Sequence, residues 1–215
     1  MDPPVIGRAP DHAPAPSPRG VAPAVTPASF RTLAADLGPV GPVCGDPRLI
    51  GAALPPIRGP QEGCGVAEPV ALVSVAGVAL TGDARVNCEA ARALADWMER
   101  SARPSALKAF GAPLAAAKPA ASYVCRPRNR QRGARLSEHS KGNAIDLSEF
   151  TLADGRQIDV RSGWNGGGRG QAFLRASWKA ACGPFGTVLG PAADKFHRDH
   201  FHFDVARHRG GDYCR

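Results

Sequence analysis

Two short stretches hold four of the chain's six histidines: SEHSKGNAID at 137–146 and HRDHFHFD at 197–204. Imidazoles and carboxylates gathered in this way are the groups that bind a divalent metal or move protons near neutral pH. Read as a strand, the second stretch turns His200, His202 and Asp204 to one face and Phe201 and Phe203 to the other. The two phenylalanines can anchor in a core and hold the imidazoles rigidly at a cleft. Residues two apart on a strand lie roughly 6.5–7 Å apart at the backbone. Two such imidazoles can bind one metal, or one can bind it while the other contacts the reacting water. His197 falls on the opposite face of a continued strand, and a turn near Arg198-Asp199 is needed to bring it back. The first stretch supplies His139 and Asp146, with Gly142 between them to permit a sharp loop. By the same two-residue period Ile145 and Leu147 face the core and Asp146 faces the site. Two imidazoles and a carboxylate are good zinc ligands, and three protein ligands leave one coordination position open, as in catalytic rather than structural sites. The cluster keeps a net positive charge with a divalent ion bound, so the ion remains a strong Lewis acid.

Certain elements must position these groups. The Val-rich run Glu68–Leu80 predicts a strand or a strand pair. A helix follows, with Asn87 as its cap, Glu89 in its first turn, and Ala91, Leu94, Trp97 and Met98 on one face; Arg103-Pro104 ends it. Ser122–Arg126 reads as a short strand. Ala144–Leu152 leads through Asp154-Gly155 to Val160, a hairpin pattern. Trp164–Gly170 is a loop that lacks the spacing of a phosphate cradle. Gln171–Cys182 predicts a second helix, with Phe173, Leu174, Trp178 and Ala181 as core positions, stopped by Gly183-Pro184. Phe196–Ala206 is the final strand. No internal repeat occurs.

Composition bounds the rest. A chain of 215 residues with 43% apolar residues, 25 Gly and 21 Pro fits one loop-rich α+β domain and a tail. Residues 1–27, rich in Pro and Ala, read as a disordered or polyproline-like tether, and 28–215 as the domain. Residues 30–68 look like an irregular, disulfide-pinned lead-in. No run of about 18 apolar residues offers a membrane span. The six cysteines contain no Cys-x-x-Cys pair, which suits three disulfides and an oxidising compartment better than free thiols. Sequential pairing, Cys44–Cys64, Cys88–Cys125 and Cys182–Cys214, closes loops of moderate length. Export to a periplasm or cell envelope then needs a signal, yet Met1–Thr26 has no apolar core of one. The signal is expected upstream or already removed. The formal charge is +8, with its densest patch at Arg126, Arg128, Arg130, Arg132 and Arg135. No nucleic-acid motif or aromatic ladder accompanies that patch, so a nucleic-acid partner is not expected.

The pattern S-x-H-x-x-G-x-A-x-D, here Ser137, His139, Gly142, Ala144 and Asp146, resembles the signature of LAS-type zinc peptidases. That group includes D-Ala-D-Ala carboxypeptidases, murein endopeptidases and the zinc fold of hedgehog proteins. Cys125-Arg126, SEHSKGNAIDL, AFLR, the Cys before the last strand, HRDHFHFD and the closing Tyr213-Cys214 are similar to the extensin-like protein C-terminal family, over roughly residues 38–215. The resemblance implies that His139, Asp146 and His202 hold zinc and that His200 takes a proton from the attacking water. His197 matches a second histidine of the murein endopeptidases. Arg126 matches an arginine that polarises the scissile carbonyl, with Arg128 and Arg130 as rivals. Many carboxypeptidase relatives carry Glu where this chain has Asp199, and His200 is the base preferred here.

These readings converge on an α+β domain with a small antiparallel sheet, zinc on its open face and helices behind. The expected activity is hydrolysis of peptide bonds in peptidoglycan stems or cross-links by a monomer. Whether the bond is D,D or L,D, and whether the enzyme is an endopeptidase or a carboxypeptidase, stays open. A non-catalytic zinc module that binds wall peptides or a partner is the alternative. Ser137 reads as a turn-capping or motif-orienting group. Asp204 is a partner of a ligand histidine or a catalytic acid. The arginine run is either a solvated loop or a contact for substrate carboxylates.

Overall fold

The computed structural model describes residues 37–215, so the expected tether at 1–27 lies outside the described residues. Strand β1 (Gly41–Val43) turns at Cys44-Gly45 into β2 (Asp46–Ala53). Both turn residues have positive φ, 58° and 66°, as a two-residue hairpin whose twist matches its strands requires. The ribbon β3 (Ile57–Arg58) and β4 (Gly65–Val66) stands apart as its own sheet. β5 (Pro69–Val75) and β6 (Val78–Leu80) are the strand pair expected from the Val-rich run. β7 (Arg85–Asn87) then leads directly into helix α1 (Cys88–Trp97).

The remaining strands are β8 (Leu114–Ala121), β9 (Ala144–Leu152), β10 (Gln157–Asp159), β11 (Thr187–Leu189), β12 (Phe201–Asp204) and β13 (Tyr213–Cys214). They complete an 11-stranded sheet in the order β1-β2-β5-β6-β8-β9-β12-β11-β13, with β7 on β5 and β10 on β9. The expected small antiparallel sheet is therefore corrected: the sheet is large and mixed, because β6–β8 and β11–β13 pair in parallel. Two contributions escaped the sequence pattern. The supposed irregular lead-in supplies β1 and β2. The Ala-rich segment Leu114–Ala121 forms a strand although it contains Pro119, which sits where the β8–β9 register shifts. The strand expected at Ser122–Arg126 is irregular chain that follows β8.

Helix α1 begins as anticipated: the Asn87 side chain accepts from the Ala90 amide, and Glu89 occupies the first turn. Ala91, Leu94, Trp97 and Met98 are fully buried. Arg103-Pro104 does not end the helical run. A π-turn, Met98–Ala102, intervenes, and the Arg103 amide donates to the Met98 carbonyl. Pro104 thereby falls in the first turn of a new helix, α2 (Arg103–Phe110), where its missing N–H costs nothing. Helix α3 (Gly168–Lys179) starts three residues before the expected Gln171, taking in part of the glycine-rich loop. Among the described residues no helix is long and apolar enough to cross a membrane.

The disulfides are Cys44–Cys88, Cys64–Cys125 and Cys182–Cys214, so one of the three expected pairs is observed. The β1–β2 turn carries Cys44 to the start of α1, where Cys88 is the first residue, with the two Cα atoms 5.4 Å apart. Cys64, just before β4, reaches Cys125 just after β8. Loop length did not decide the pairing; strand order did.

The core lies between the sheet and the helices. Phe201 and Phe203 are fully buried there, with the Trp97 ring 5.0 Å from Phe203 and edge-on to it. Phe185 stacks on Phe203, also at 5.0 Å. Phe203→Ala is expected to lower the unfolding free energy by about 3–5 kcal/mol, as measured by denaturant titration of metal-free protein.

Candidate metal centre

β9 and β12 are antiparallel neighbours with His202 directly opposite Asp146. Opposed residues project to the same face, so this one register pair brings two of the candidate ligands together. Ile145, Leu147, Phe201 and Phe203 go to the core on the other face. His139 arrives from a 3₁₀ turn, Glu138–Lys141, which Gly142 closes at φ +68°. A Cβ at Gly142 would meet Val66 Cγ2 at 2.8 Å and the Asn87 amide nitrogen at 3.1 Å, so only glycine turns the chain into β9 here. The Ser137 hydroxyl makes no capping bond. Ser140 does the orienting instead: its hydroxyl accepts from the Arg126 amide and has one proton to donate between the carbonyls of Arg126 and Val124, at 3.0 and 3.2 Å.

His139, Asp146 and His202 are 0, 3 and 8% exposed. His139 Nδ1–H donates to the Ser122 carbonyl at 2.7 Å, and His202 Nε2–H donates to Asp204 Oδ2 at 3.0 Å. Both partners are acceptors only, so they fix each tautomer and leave a lone pair on His139 Nε2 and on His202 Nδ1. Those two nitrogens are 3.2 Å apart and lie 3.1 and 2.8 Å from Asp146 Oδ1. With both imidazoles neutral, three acceptors face one another with nothing of their own to donate; a proton on His202 Nδ1, donated to Asp146 Oδ1, or a metal ion meets that need. Ligands of a tetrahedral ion at 2.0–2.1 Å stand roughly 3.3 Å apart, so the group could hold a metal ion after small adjustment. Asp204 sits where a partner of a ligand histidine belongs.

The second stretch is less extended than expected: β12 covers only Phe201–Asp204, and residues 196–200 run through turns. The turn near Arg198-Asp199 does swing His197 back, to ring-centre distances of 5.4 Å from His200 and 5.7 Å from His202. His197 Nδ1–H donates to Asp194 and His200 Nδ1–H to Asp199, each at 2.8 Å. His200 Nε2 then lies 3.6 Å from Asp146 Oδ2. Arg161 holds Asp199 in turn at 2.7 Å. Every one of the four imidazoles is tied at one nitrogen by an oxygen. Asp194, Arg161 and Ser122 were not singled out from sequence, because none lies in a histidine stretch; Ser140 lies in the first stretch, but the sequence pattern points to Ser137 as the orienting group there, and only Asp199, beside His200, carried a local signal.

The electrostatics follow from burial and pairing. Burial pushes the His202 imidazole down, but its bonds to Asp146 and Asp204 prevail and raise it from 6.5 to about 9. Burial raises Asp146, yet the charges and bonds of His139 and His202 hold it well below the usual carboxylate range. Burial is the main cause that lowers His197, against the opposing pull of Asp194. Arg126 is half-buried; desolvation lowers its guanidinium, and Arg130 adds to this while Asp146 opposes.

These groups open on a cleft of about 1060 Å³ whose lining includes Arg126, Arg128, Arg130, His197, His200 and the three candidate ligands. Its floor is the sheet face itself, with Leu189, His202, Asp146 and Ala121 in register across four strands. All six residues expected at the site, His139, Asp146, His202, His197, His200 and Arg126, border this one cleft. The chain belongs to the family described as Extensin-like protein C-terminus, whose sequence model matches residues 49–215. No curated protein and no solved structure matches it.

In the metal-free protein His202 holds a proton up to about pH 9, so a metal must displace it. Calorimetric titration with a divalent metal near pH 7.5 should release about one proton, read from the dependence of heat on buffer ionisation. The apparent affinity should rise roughly tenfold per pH unit until about pH 9. Because His202 is raised on folding, its contribution to metal-free stability is present below about 6.5 and is lost as pH rises through about 9.

Proposed function

We propose that this member of the Extensin-like protein C-terminus family is a zinc-dependent peptidase acting on the peptide stems or cross-links of peptidoglycan. The observation that carries the reading is the arrangement of nitrogens. Four histidines are each anchored at one ring nitrogen, and the free nitrogens of His139 and His202 meet Asp146 in an open cleft beside His200 and His197. A site built only for structure would close its coordination with protein groups. Two imidazoles and one carboxylate suit zinc better than the hard, oxygen-seeking cations. The similarity of the Ser137–Asp146 stretch to LAS-type zinc peptidases supports the same choice. Three disulfides are compatible with an exported protein, which the wall substrate requires.

Zinc bound by His139, Asp146 and His202 would supply Lewis-acid polarisation of the scissile carbonyl and lower the pKa of the attacking water. The chain's own residues do the rest. His200, its Nδ1–H fixed on Asp199, presents Nε2 as the proton acceptor. Arg161 keeps Asp199 in place and so keeps the His200 ring turned toward the site. The proton that His200 takes from the water goes to the leaving amine, directly or through His197, which is buried and neutral at rest one ring away and can accept that proton and pass it on. Arg126 reaches the cleft with no carboxylate partner among the described residues, and its guanidinium is available to the charge that develops on the carbonyl oxygen.

A second reading is a non-catalytic zinc module that holds wall peptides. Asp199 favours it in one respect: at the position where many carboxypeptidase relatives carry a Glu base, its short carboxylate is engaged by both His200 and Arg161. Digestion of purified peptidoglycan, with mass spectrometry of released fragments, separates the two. The peptidase should release peptides, lose activity to chelator and regain it with zinc. His200→Ala should keep the metal and lose about 10²–10⁴-fold in rate, and Asp199→Asn should lose about tenfold or more. Intact polymer in every sample, with zinc bound, would select the non-catalytic module.

A further inference from the structure

The arginine-rich loop does not dissolve evenly into solvent. Pro127 and Leu136 bridge its base, and the Arg128 amide donates to the Arg135 carbonyl, so 127–136 is a closed hairpin-like loop. At its tip Asn129 and Arg130 are both left-handed, with φ of 55° and 56°. An arginine adopts that backbone only where its surroundings hold it. The loop's cations then divide by partner. Arg128 leans on Glu138 at 3.9 Å, and across the cleft Arg161 is taken by Asp199. Arg126 and Arg130 form no ion pair with any described residue, and Arg130 disfavours the charge of Arg126.

Their position is specific. Beside the metal cleft lies a smaller cavity of about 260 Å³, bordered by Asp83, Ser122, Tyr123 and Val124. Arg126 and Arg130 belong to the lining of both cavities, together with Pro119, Ala120 and Ala121. Two unpaired guanidiniums at a shared wall offer several N–H donors to an anionic oxygen pair. The neighbouring acids limit which anion. Asp83 borders one cavity and Glu138 and Asp146 the other, so a phosphate dianion meets about twice the repulsion that a singly charged carboxylate meets.

We propose that Arg130, backed by Arg126, seats a free carboxylate of the substrate at the junction of the two cavities, with the scissile amide over His139, Asp146 and His202. This rests on the peptidase reading and refines it: Arg130 selects substrates that carry a carboxylate on that side of the bond. Arg126 has five N–H donors and can turn one edge to the carboxylate while another faces the carbonyl oxygen.

The test is equilibrium binding to zinc-loaded His200→Ala protein, which does not depend on turnover. N-acetyl-D-Ala-D-Ala is titrated as the free acid and as the C-terminal amide. The acid should bind at least about tenfold more tightly than the amide. Arg130→Asn, chosen because Asn tolerates the left-handed backbone, should bring the acid-to-amide ratio close to one. Arg130→Lys should restore part of the preference. Equal affinities in the parent protein, a preference that survives Arg130→Asn, failure of both forms to bind, or tighter binding of inorganic phosphate at the same site would each overturn the proposal. Release of peptides from peptidoglycan by the wild type would stand through any of those results. Loss of that activity with the acid preference intact would sink the peptidase reading and leave the carboxylate seat.

Discussion

The β9–β12 pairing governs everything else in this protein. Its pleat sends Ile145, Leu147, Phe201 and Phe203 into an aromatic core and, from the same few residues, Asp146, His202 and Asp204 onto the opposite face. Core and site are therefore two sides of one register. A slip of one residue would bury the imidazole and carboxylates and expose the phenylalanines. The packing of Trp97 and Phe185 on Phe203 makes that slip costly, so apolar burial on one side fixes polar geometry on the other. The remaining candidate ligand, His139, is added by a turn that depends on Gly142 and on the hydroxyl of Ser140.

The second organising constraint is the supply of oxygen acceptors around the imidazoles. Ser122 O, Asp204, Asp199 and Asp194 each take one ring N–H, which converts four flexible rings into four directed lone pairs or proton acceptors. Buried acceptors facing one another are unstable without a cation between them. In the metal-free state a proton on His202 meets that need, and a metal ion can take its place. The same electrostatic demand thus explains both the raised imidazole and the ability of the group to hold a metal. Above the site, Arg126 and Arg130 line the same cleft, and neither forms an ion pair with a described residue.

The residues that come together in the candidate site were largely legible in the sequence, and the fold less so. His139, Asp146 and His202 lie in two short segments where the two-residue period assigns faces without knowledge of the rest of the chain. Their supporting groups were not legible, since Ser122 is 17 residues from His139 and Arg161 is 38 from Asp199, separations bridged only by tertiary structure. The strand at Leu114–Ala121 was missed because its alanines carry little strand preference and Pro119 argues against one. Arg103-Pro104 signalled a helix end, and the π-turn before it let the helix resume. The cysteine pairing failed for a related reason: Cys44 meets Cys88 through the β1–β2 turn and the start of α1, an encounter that loop lengths do not encode.

X-ray absorption at the zinc edge of the loaded protein addresses the coordination directly. The account requires one ion per chain with an all-nitrogen and oxygen shell at roughly 2.0–2.1 Å and multiple-scattering features of two imidazoles. Both imidazole contributions should diminish stepwise in His139→Ala and in His139→Ala/His202→Ala. A sulfur shell near roughly 2.3 Å, or a spectrum unchanged by those substitutions, would place the ion elsewhere and contradict the account.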